Sequence, residues 1–486
     1  MPASLIGKEG GLLYRSQIDA MPSLDKSALD RLPLAFDRGH FGGVLRLLAK
    51  SSVKAVVLDD DPTGTQTVHG VDVLADWSTP SLAAALAEPG PCFFVLTNTR
   101  SMPGSKAARV NREIVANLTE ASRIAERQFV VVSRSDSTLR GHFETELAAL
   151  RDGLPQPVDG TIVIPAFFEG GRYTVGNVHY VAEGDRLVPA AETEFARDAT
   201  FGYFHSDLTE WIEEKTGGAV KAAHVAAIDI ATLRGEGGAE SVQSTLLALP
   251  KGAYLVVNAA SYGDIEAFVH GLLLAEASGK RYLFRTAASF VRVRAGLQQH
   301  PLLSASDYCE AGGKGGLVVV GSYTQRTTAQ LESLLELSTT TPVEVSVDRL
   351  ASDDGRSREI QRVSAEARKA IDAGSHAVVY TSRSLESALG RAGDLAAGEI
   401  VSESLVGVVQ SLGTRPRFVI AKGGITSSDI ATRGFGMRRA RVLGQASPGV
   451  PVWHFGAETR FPGMKYVVWP GNVGARDTLR DVVRLA

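Results

Sequence analysis

The chain has 486 residues, 44% hydrophobic and 22% charged, with a formal net charge of -3. That length exceeds one ordinary core and predicts two to three domains, while the near-balanced charge and the lack of any run of about 18 apolar residues exclude a nucleic-acid surface and a membrane span. Two distant cysteines, Cys92 and Cys309, exclude a disulfide framework and a Cys-rich zinc site and fit a reducing compartment, so a soluble cytoplasmic protein is expected.

Residues 1–50 read as an N-terminal extension with helical pieces. From Lys54 a pattern repeats: a short apolar run, a turn rich in Gly, Asp, Ser or Thr, then an amphipathic stretch. The runs Lys54–Leu58, Cys92–Leu96, Phe129–Val132, Thr161–Ile164 and Tyr254–Val257 have the length and composition of buried parallel strands. Intervening stretches such as Lys106–Ala125 predict helices. Glu310–Gly316, written EAGGKGG, reads as a linker. The pattern then restarts with strands at Leu317–Val320, Ala377–Tyr380 and Arg417–Ile420 and a helix at Thr327–Leu337. The alternation predicts an α/β fold: after the extension 1–50, two three-layer α/β/α domains with mostly parallel sheets, 51–309 and 310–486. The basic residues Arg433, Arg438 and Arg439 read as a solvated face.

Ligands of open α/β sheets bind beyond the C-terminal ends of the strands. The first such end is VVLDDDPTGTQTVHG (56–70). Asp59, Asp60 and Asp61 there repel one another and resist burial, which favours a metal- or substrate-facing role over a plain turn cap. Thr63 and Gly64 allow a tight turn. The second is VVVSRSDSTLRGH (130–142). Arg140 offers a planar fork for carboxylate or phosphate, and Asp136 could accept a hydroxyl proton. A capped helix start with a surface Asp136–Arg140 pair explains the same residues. The third is VIPAFFEGGRYTVGN (163–177), where Gly170, Gly171 and Arg172 carry another cation or form a simple turn. FVLTNTRS (94–101) adds Thr97, Asn98, Thr99 and Arg100 at one more strand end, where simple turn chemistry also explains them.

In the C-terminal half, Gly321-Ser322, Gly423-Gly424 with Thr426–Ser428, and Gly471-Asn472 with Gly474 each stand between a strand and a helix. Small residues there let backbone N–H groups reach phosphate oxygens. No G-x-x-x-x-G-K-[ST] string occurs, which disfavours a P-loop ATPase, and no G-x-G-x-x-G follows the early strands. Lone histidines such as His69, His142 and His179 read as hydrogen-bonded structural residues.

DDDPTG (59–64), SDSTLRG (135–141), PAFFEGGR (165–172), TEFARD (193–198), KGGITS (422–427) and PGNVG (470–474) resemble, in order, the four-carbon acid sugar kinase family. That family includes 3-oxo-tetronate, threonate and erythronate kinases. The resemblance implies that 51–309 binds the acid sugar, that 310–486 binds ATP, and that phosphate passes to a hydroxyl. It implies Asp61, Asp136 and Arg140 as catalytic residues and Asp60, Thr63, Ser135 and Arg172 as substrate-binding ones. It places the nucleotide at Ser322, Ser382, Gly423, Gly424, Ile425, Thr426 and Gly471. ATP and Mg²⁺ are the implied cofactors, with no metal-ligating residue assigned. Arg134 stands where lysine is frequent in the family. A homodimer is the base-rate expectation for a soluble enzyme.

Two other readings stand beside this one. Asp59, Asp61 and Thr63 spell D-x-D-x-T after an apolar run, and FVLTN follows, as in an aspartyl-phosphate phosphatase with Asp59 as nucleophile. That reading leaves the C-terminal glycine loops without a purpose. The altered turn Pro62–Thr67 also admits a noncatalytic metabolite-binding protein on a kinase-like fold.

Overall fold

The computed structural model describes residues 22–34, 38–382 and 394–486, with the side chains of 394–397 excepted. The helical pieces expected in the extension therefore lie partly outside the described residues. Within them, a strand Leu24–Asp25, a short 3-10 helix Lys26–Arg31 and a helix His40–Lys50 are formed. Contacts gather the chain into two compact units. The first holds the described residues up to Lys50, Ser135–Arg151 and Gln156–Val293. The second holds Ser51–Arg134, Asp152–Pro155 and Arg294 onward.

In the first unit, parallel strands run in the order Ala226–Ile228, Ala253–Val257, Gly160–Ile164, Tyr282–Thr286. The expected runs at 161–164 and 254–257 are thus strands one residue longer. Their uninterrupted Val, Ile and Leu fit a sheet buried on both faces. The helix Tyr262–Ala277 opens on a Ser261/Asp264 capping box, and Arg234 reaches Asp264 at 2.6 Å. The unit also carries an antiparallel sheet that the sequence pattern did not predict: Leu24–Asp25, Arg186–Pro189, Val178–Glu183, Arg172–Val175. Its hairpin 172–183 turns on Gly176 and Asn177, both at positive φ (57° and 65°), the backbone a type I′ turn requires.

The second unit is one mixed sheet. Phe129–Arg134, Lys54–Asp59, Cys92–Leu96 and Asp72–Leu74 are parallel neighbours. Arg439–Ser447 pairs antiparallel with Asp72–Leu74 and with Val450–Phe455, which pairs with Lys465–Trp469. Parallel pairing then resumes through Val419–Lys422, Leu317–Val320, His376–Thr381 and Thr340–Val345. The α/β class holds, with mixed, mostly parallel sheets and helices on both sides.

Two expectations are corrected here. The strand expected at Arg417–Ile420 is Val419–Lys422, because Lys422 is fully buried and its amine bonds the Pro470 carbonyl at 3.1 Å. Arg439 is more than a solvated charge: its side chain is 36% exposed, and its guanidinium meets Asp72 at 2.6 Å and Glu88 at 2.8 Å across the pairing with Asp72–Leu74. Arg433 and Arg438 are exposed as expected. Both cysteines are buried and unbridged. No described helix is long and apolar enough to cross a membrane.

Candidate functional site

In the second unit, the strand Lys54–Asp59 is buried along its whole length and delivers three carboxylates at its end. Asp59 points inward and meets Arg134 at 3.0 Å, with both side chains 3% exposed or less. Arg134 also donates to Gln66 at 3.3 Å, and Gln66 donates to the Gly449 carbonyl at 3.1 Å. Burial pushes the Asp59 carboxyl up to about 7; Arg134 opposes this, and Asp60 and Asp61 add to it. A Cβ at Gly64 would lie 1.9 Å from Asp59 Oδ2, so only glycine lets the turn close over this carboxylate. Asp59 is therefore a sealed structural acid. Its burial and its pairing with Arg134 argue against a role as phosphatase nucleophile.

Asp60 and Asp61 are held differently. Arg100 grips Asp60 through two nitrogens, at 2.5 and 3.2 Å, and reaches Asp61 Oδ2 at 3.4 Å. Asp61 caps the 3-10 turn Pro62–Thr65, accepting from Thr63 N (2.9 Å) and Thr63 Oγ1 (2.5 Å) on Oδ1. Its other oxygen faces Gly424: a Cβ there would sit 2.5 Å from Asp61 Oδ2.

Gly424 belongs to the first of three converging loops. Gly423, at φ +119°, places a Cβ position 3.2 Å from Ser322 Cβ, and Gly471 places one 3.1 Å from Ser322 Oγ. A Cβ at Gly321 would meet Thr426 Oγ1 at 2.2 Å. Thr324 and Thr327 hydroxyls both donate to the Gly471 carbonyl at 3.2 Å. Ser322, Gly423, Gly424, Thr426 and Gly471 are thus brought together, with little or no room for side chains at the glycines. Ile425 projects from the same loop, 58% exposed. Ser382 ends the strand beside Leu317–Val320, but its hydroxyl accepts from the Val347 N–H at 3.1 Å and braces the 345–347 segment.

The first unit holds the other cluster. Asp136 accepts from Arg140 Nε at 2.6 Å and from the Thr138 hydroxyl, and Arg140 also lies 3.8 Å from Asp198. Both guanidiniums expected to meet a carboxylate face one aromatic ring: Arg140 is 5.1 Å and Arg172 5.7 Å from the Phe195 centroid. Ser135 is buried, with its hydroxyl donating to the Arg140 carbonyl at 3.3 Å. The Ser135–Gly141 turn contains Leu139 at φ 67° and is pinned from below by neutral groups. His179 Nε2 donates to the Ser137 carbonyl at 2.8 Å while its Nδ1 accepts from Thr174. Tyr203 donates to the Thr138 carbonyl at 2.8 Å. Burial pushes His179 down to about 4, so it stays neutral. The Asp136–Arg140 pair is 10% and 24% exposed, more enclosed than the surface pair considered from sequence.

Sequence reasoning set Asn98 and Arg100 at a strand end with turn chemistry as the simpler account, used Asn98 otherwise only in the phosphatase reading, and passed over Phe195 within the TEFARD string. A cation four residues after the end of the strand beside DDD was the available signal for Arg100. Among the described residues no three His, Cys, Asp or Glu side chains gather as a metal cage. The carboxylates and loops present fit a cation carried on nucleotide phosphates.

A sugar-binding N-terminal domain model matches residues 55–294, and a nucleotide-binding C-terminal domain model matches 317–479. A D-erythronate kinase of Heliobacterium modesticaldum (strain ATCC 51547 / Ice1) is 27% identical over 328 residues, 65% of this chain and 68% of that protein. A solved chain from Salmonella typhimurium LT2 bearing a provisional tRNA synthase label superposes with a TM-score of 0.65 at 17% identity, over 89% of this chain and 98% of its own. A Haemophilus influenzae protein of the family model DUF1537 gives 0.60 at 18%, over 88% and 99%. These two share the fold. With both domain models matched in order and an erythronate kinase among its relatives, the chain belongs to the four-carbon acid sugar kinase family.

Proposed function

We propose that the protein transfers the γ-phosphoryl group of ATP to a hydroxyl of a four-carbon acid sugar such as 3-oxo-tetronate, threonate or erythronate. The observation that carries this is the Asp61 carboxylate lying against Gly424, in the loop whose Gly423 packs on Ser322 as Gly471 does. In this reading 51–309 supplies the acid-sugar site and 310–486 the nucleotide site.

Phosphoryl transfer needs alignment and charge neutralisation more than covalent help. Arg140 and Arg172, set on either contact of Phe195, take the substrate carboxylate by charge-assisted hydrogen bonds. Asp136, fixed by Arg140 and Thr138, orients a substrate hydroxyl, with Ser135 shaping the turn beneath it. Asp61, fixed by Thr63 and Arg100, orients or receives the proton of the acceptor hydroxyl, and Asp60 anchors Arg100. Backbone N–H groups at Ser322, Gly423–Thr426 and Gly471 hold the phosphates, and Ile425 offers apolar surface to the base. Magnesium on the nucleotide offsets phosphate charge. Ser382 supports this region through Val347.

The test is ADP release from Mg-ATP against a panel of four- to six-carbon sugar acids, their oxo and lactone forms, and a no-acid blank. Turnover with one acid well above the blank is expected. Nucleotide and acid binding without turnover across the panel would favour the noncatalytic reading.

A further inference from the structure

The strand Cys92–Leu96 ends in a turn whose three polar side chains reach in two directions. Thr97 ties it to the acid-bearing strand, its N–H and hydroxyl both donating to the Asp59 carbonyl at 2.8 and 3.0 Å. Asn98 then adopts left-handed backbone, φ 53°, ψ 24°, a conformation asparagine tolerates better than most residues. That kink aims its amide at Ser428, whose hydroxyl accepts from Nδ2. Ser428 lies on the helix Gly424–Asp429, which begins in the glycine loop facing Asp61. Two residues on, Arg100 turns the opposite way and spans Asp60 and Asp61. One tripeptide thus contacts both the carboxylates and the helix that continues the phosphate-facing loop.

Asp61 needs such a brace. Thr63 occupies Oδ1 from within the same turn and fixes that oxygen only relative to its own segment. Oδ2 is the oxygen nearer Gly424, 2.5 Å from its Cβ position against 3.5 Å for Oδ1, and Arg100 reaches that same Oδ2 at 3.4 Å. The guanidinium's rigid fork sets the orientation of Asp61 by way of its bidentate grip on Asp60, which is 4% exposed.

We propose that the Asn98–Arg100 turn is a positioning element for phosphoryl transfer. Arg100 orients the Asp61 carboxylate, and Asn98 holds the Gly424–Asp429 helix in register with it. The proposal rests on the kinase reading above and adds residues that act through Asp61 and the Gly424–Asp429 helix.

The test is steady-state kinetics of the full chain with Arg100→Ala, Arg100→Lys, Asn98→Ala, Asp61→Asn and the Asp61→Asn/Arg100→Ala pair, with thermal unfolding alongside. Arg100→Ala is expected to lower kcat about 100-fold, the scale of an ångström-sized misplacement, with both KM values within about 3-fold. Arg100→Lys keeps the charge but loses the fork, and recovers about 10-fold of that loss. Asn98→Ala lowers kcat about 10-fold by shifting the helix against Asp61. In the Asp61→Asn background, Arg100→Ala has little further effect, because residues acting as one unit are not additive. A full and independent kcat loss in that background would overturn the proposal while leaving the kinase reading intact. So would wild-type kcat in a folded Arg100→Lys and Asn98→Ala. Wild-type silence on every sugar acid would overturn both.

Discussion

At the end of Lys54–Asp59, acids outnumber cations, and each guanidinium there is committed to a carboxylate: Arg134 to Asp59, Arg100 to Asp60 and Asp61. In the Ser135–Gly141 turn, the backbone is held by a neutral histidine and a tyrosine, and the arginines lie over an aromatic ring. Charge fixed by charge in a buried site resists rearrangement, because removing one partner strands the other away from water. Arg140 is paired as well, with Asp136 at 2.6 Å and near Asp198 at 3.8 Å, but its side chain is 24% exposed against 3% for Arg134, so water screens its pairs and an incoming anion can compete for it. Substitutions in the first cluster should therefore register in stability and kcat, and those in the second in KM for the acid.

The largest effect should break the first cluster. Arg134→Ala leaves Asp59 buried without its cation and is expected to cost about 3–5 kcal/mol. That corresponds to a fall in melting temperature of about 10 °C. A further Asp59→Leu should restore much of the loss in thermal unfolding; no recovery would show that the pair is not a unit. Next, Arg140→Ala should raise KM for the acid about 100-fold, or ~2.7 kcal/mol, with KM for nucleotide little changed and a smaller fall in melting temperature than Arg134→Ala, because the Asp136 it leaves behind is 10% exposed rather than sealed. Equal losses in kcat would place Arg140 at the reacting centre instead.

A smaller effect concerns pH. His179 has its folded value lowered to about 4 from an ordinary 6.5, so the unfolded chain binds more protons between these values. Stability is then fully present above about pH 6.5 and lost as pH falls toward 4, at up to ~1.4 kcal/mol per pH unit for one proton. His179→Gln should flatten the slope in denaturant titrations at pH 4 to 7; an unchanged slope would assign acid sensitivity elsewhere. The smallest is Phe195→Leu, which removes ring contacts worth about 0.5–1 kcal/mol and should raise KM for the acid about 3- to 5-fold.

Strand positions were legible where both faces are buried. Cys92–Leu96 was read to the residue, and Lys54–Leu58 missed only Asp59, because a continuous Val/Phe/Leu run has one natural home in a parallel sheet. The strand at Val419–Lys422 was misplaced by two residues because a lysine reads as a strand's end, whereas here its amine is satisfied by a carbonyl inside. The antiparallel sheet around 172–189 carried a local signal, Gly176-Asn177, that was weighed as part of a binding loop. The strand ends of the candidate site were visible from polar clusters. Their partners were not: Asn98 meets Ser428, and Gly424 meets Asp61, across more than 300 residues of chain. Which of three adjacent aspartates turns inward depended on Arg134 and Gly64, a matter of packing that spacing alone does not decide.

The pairing of Arg439–Ser447 with Asp72–Leu74 bears on how the protein can be divided. A fragment cut near residue 310 would keep the three glycine loops but would lose the strand that covers Ala440 and its neighbours. It would then expose a row of unsatisfied backbone donors and acceptors beside an Arg439 stripped of Asp72 and Glu88. Such an edge is a template for self-association. The nucleotide half, excised at the linker the sequence advertises, should therefore come out as aggregate or edge-joined oligomer, while a fragment retaining residues 51–134 should stay dispersed.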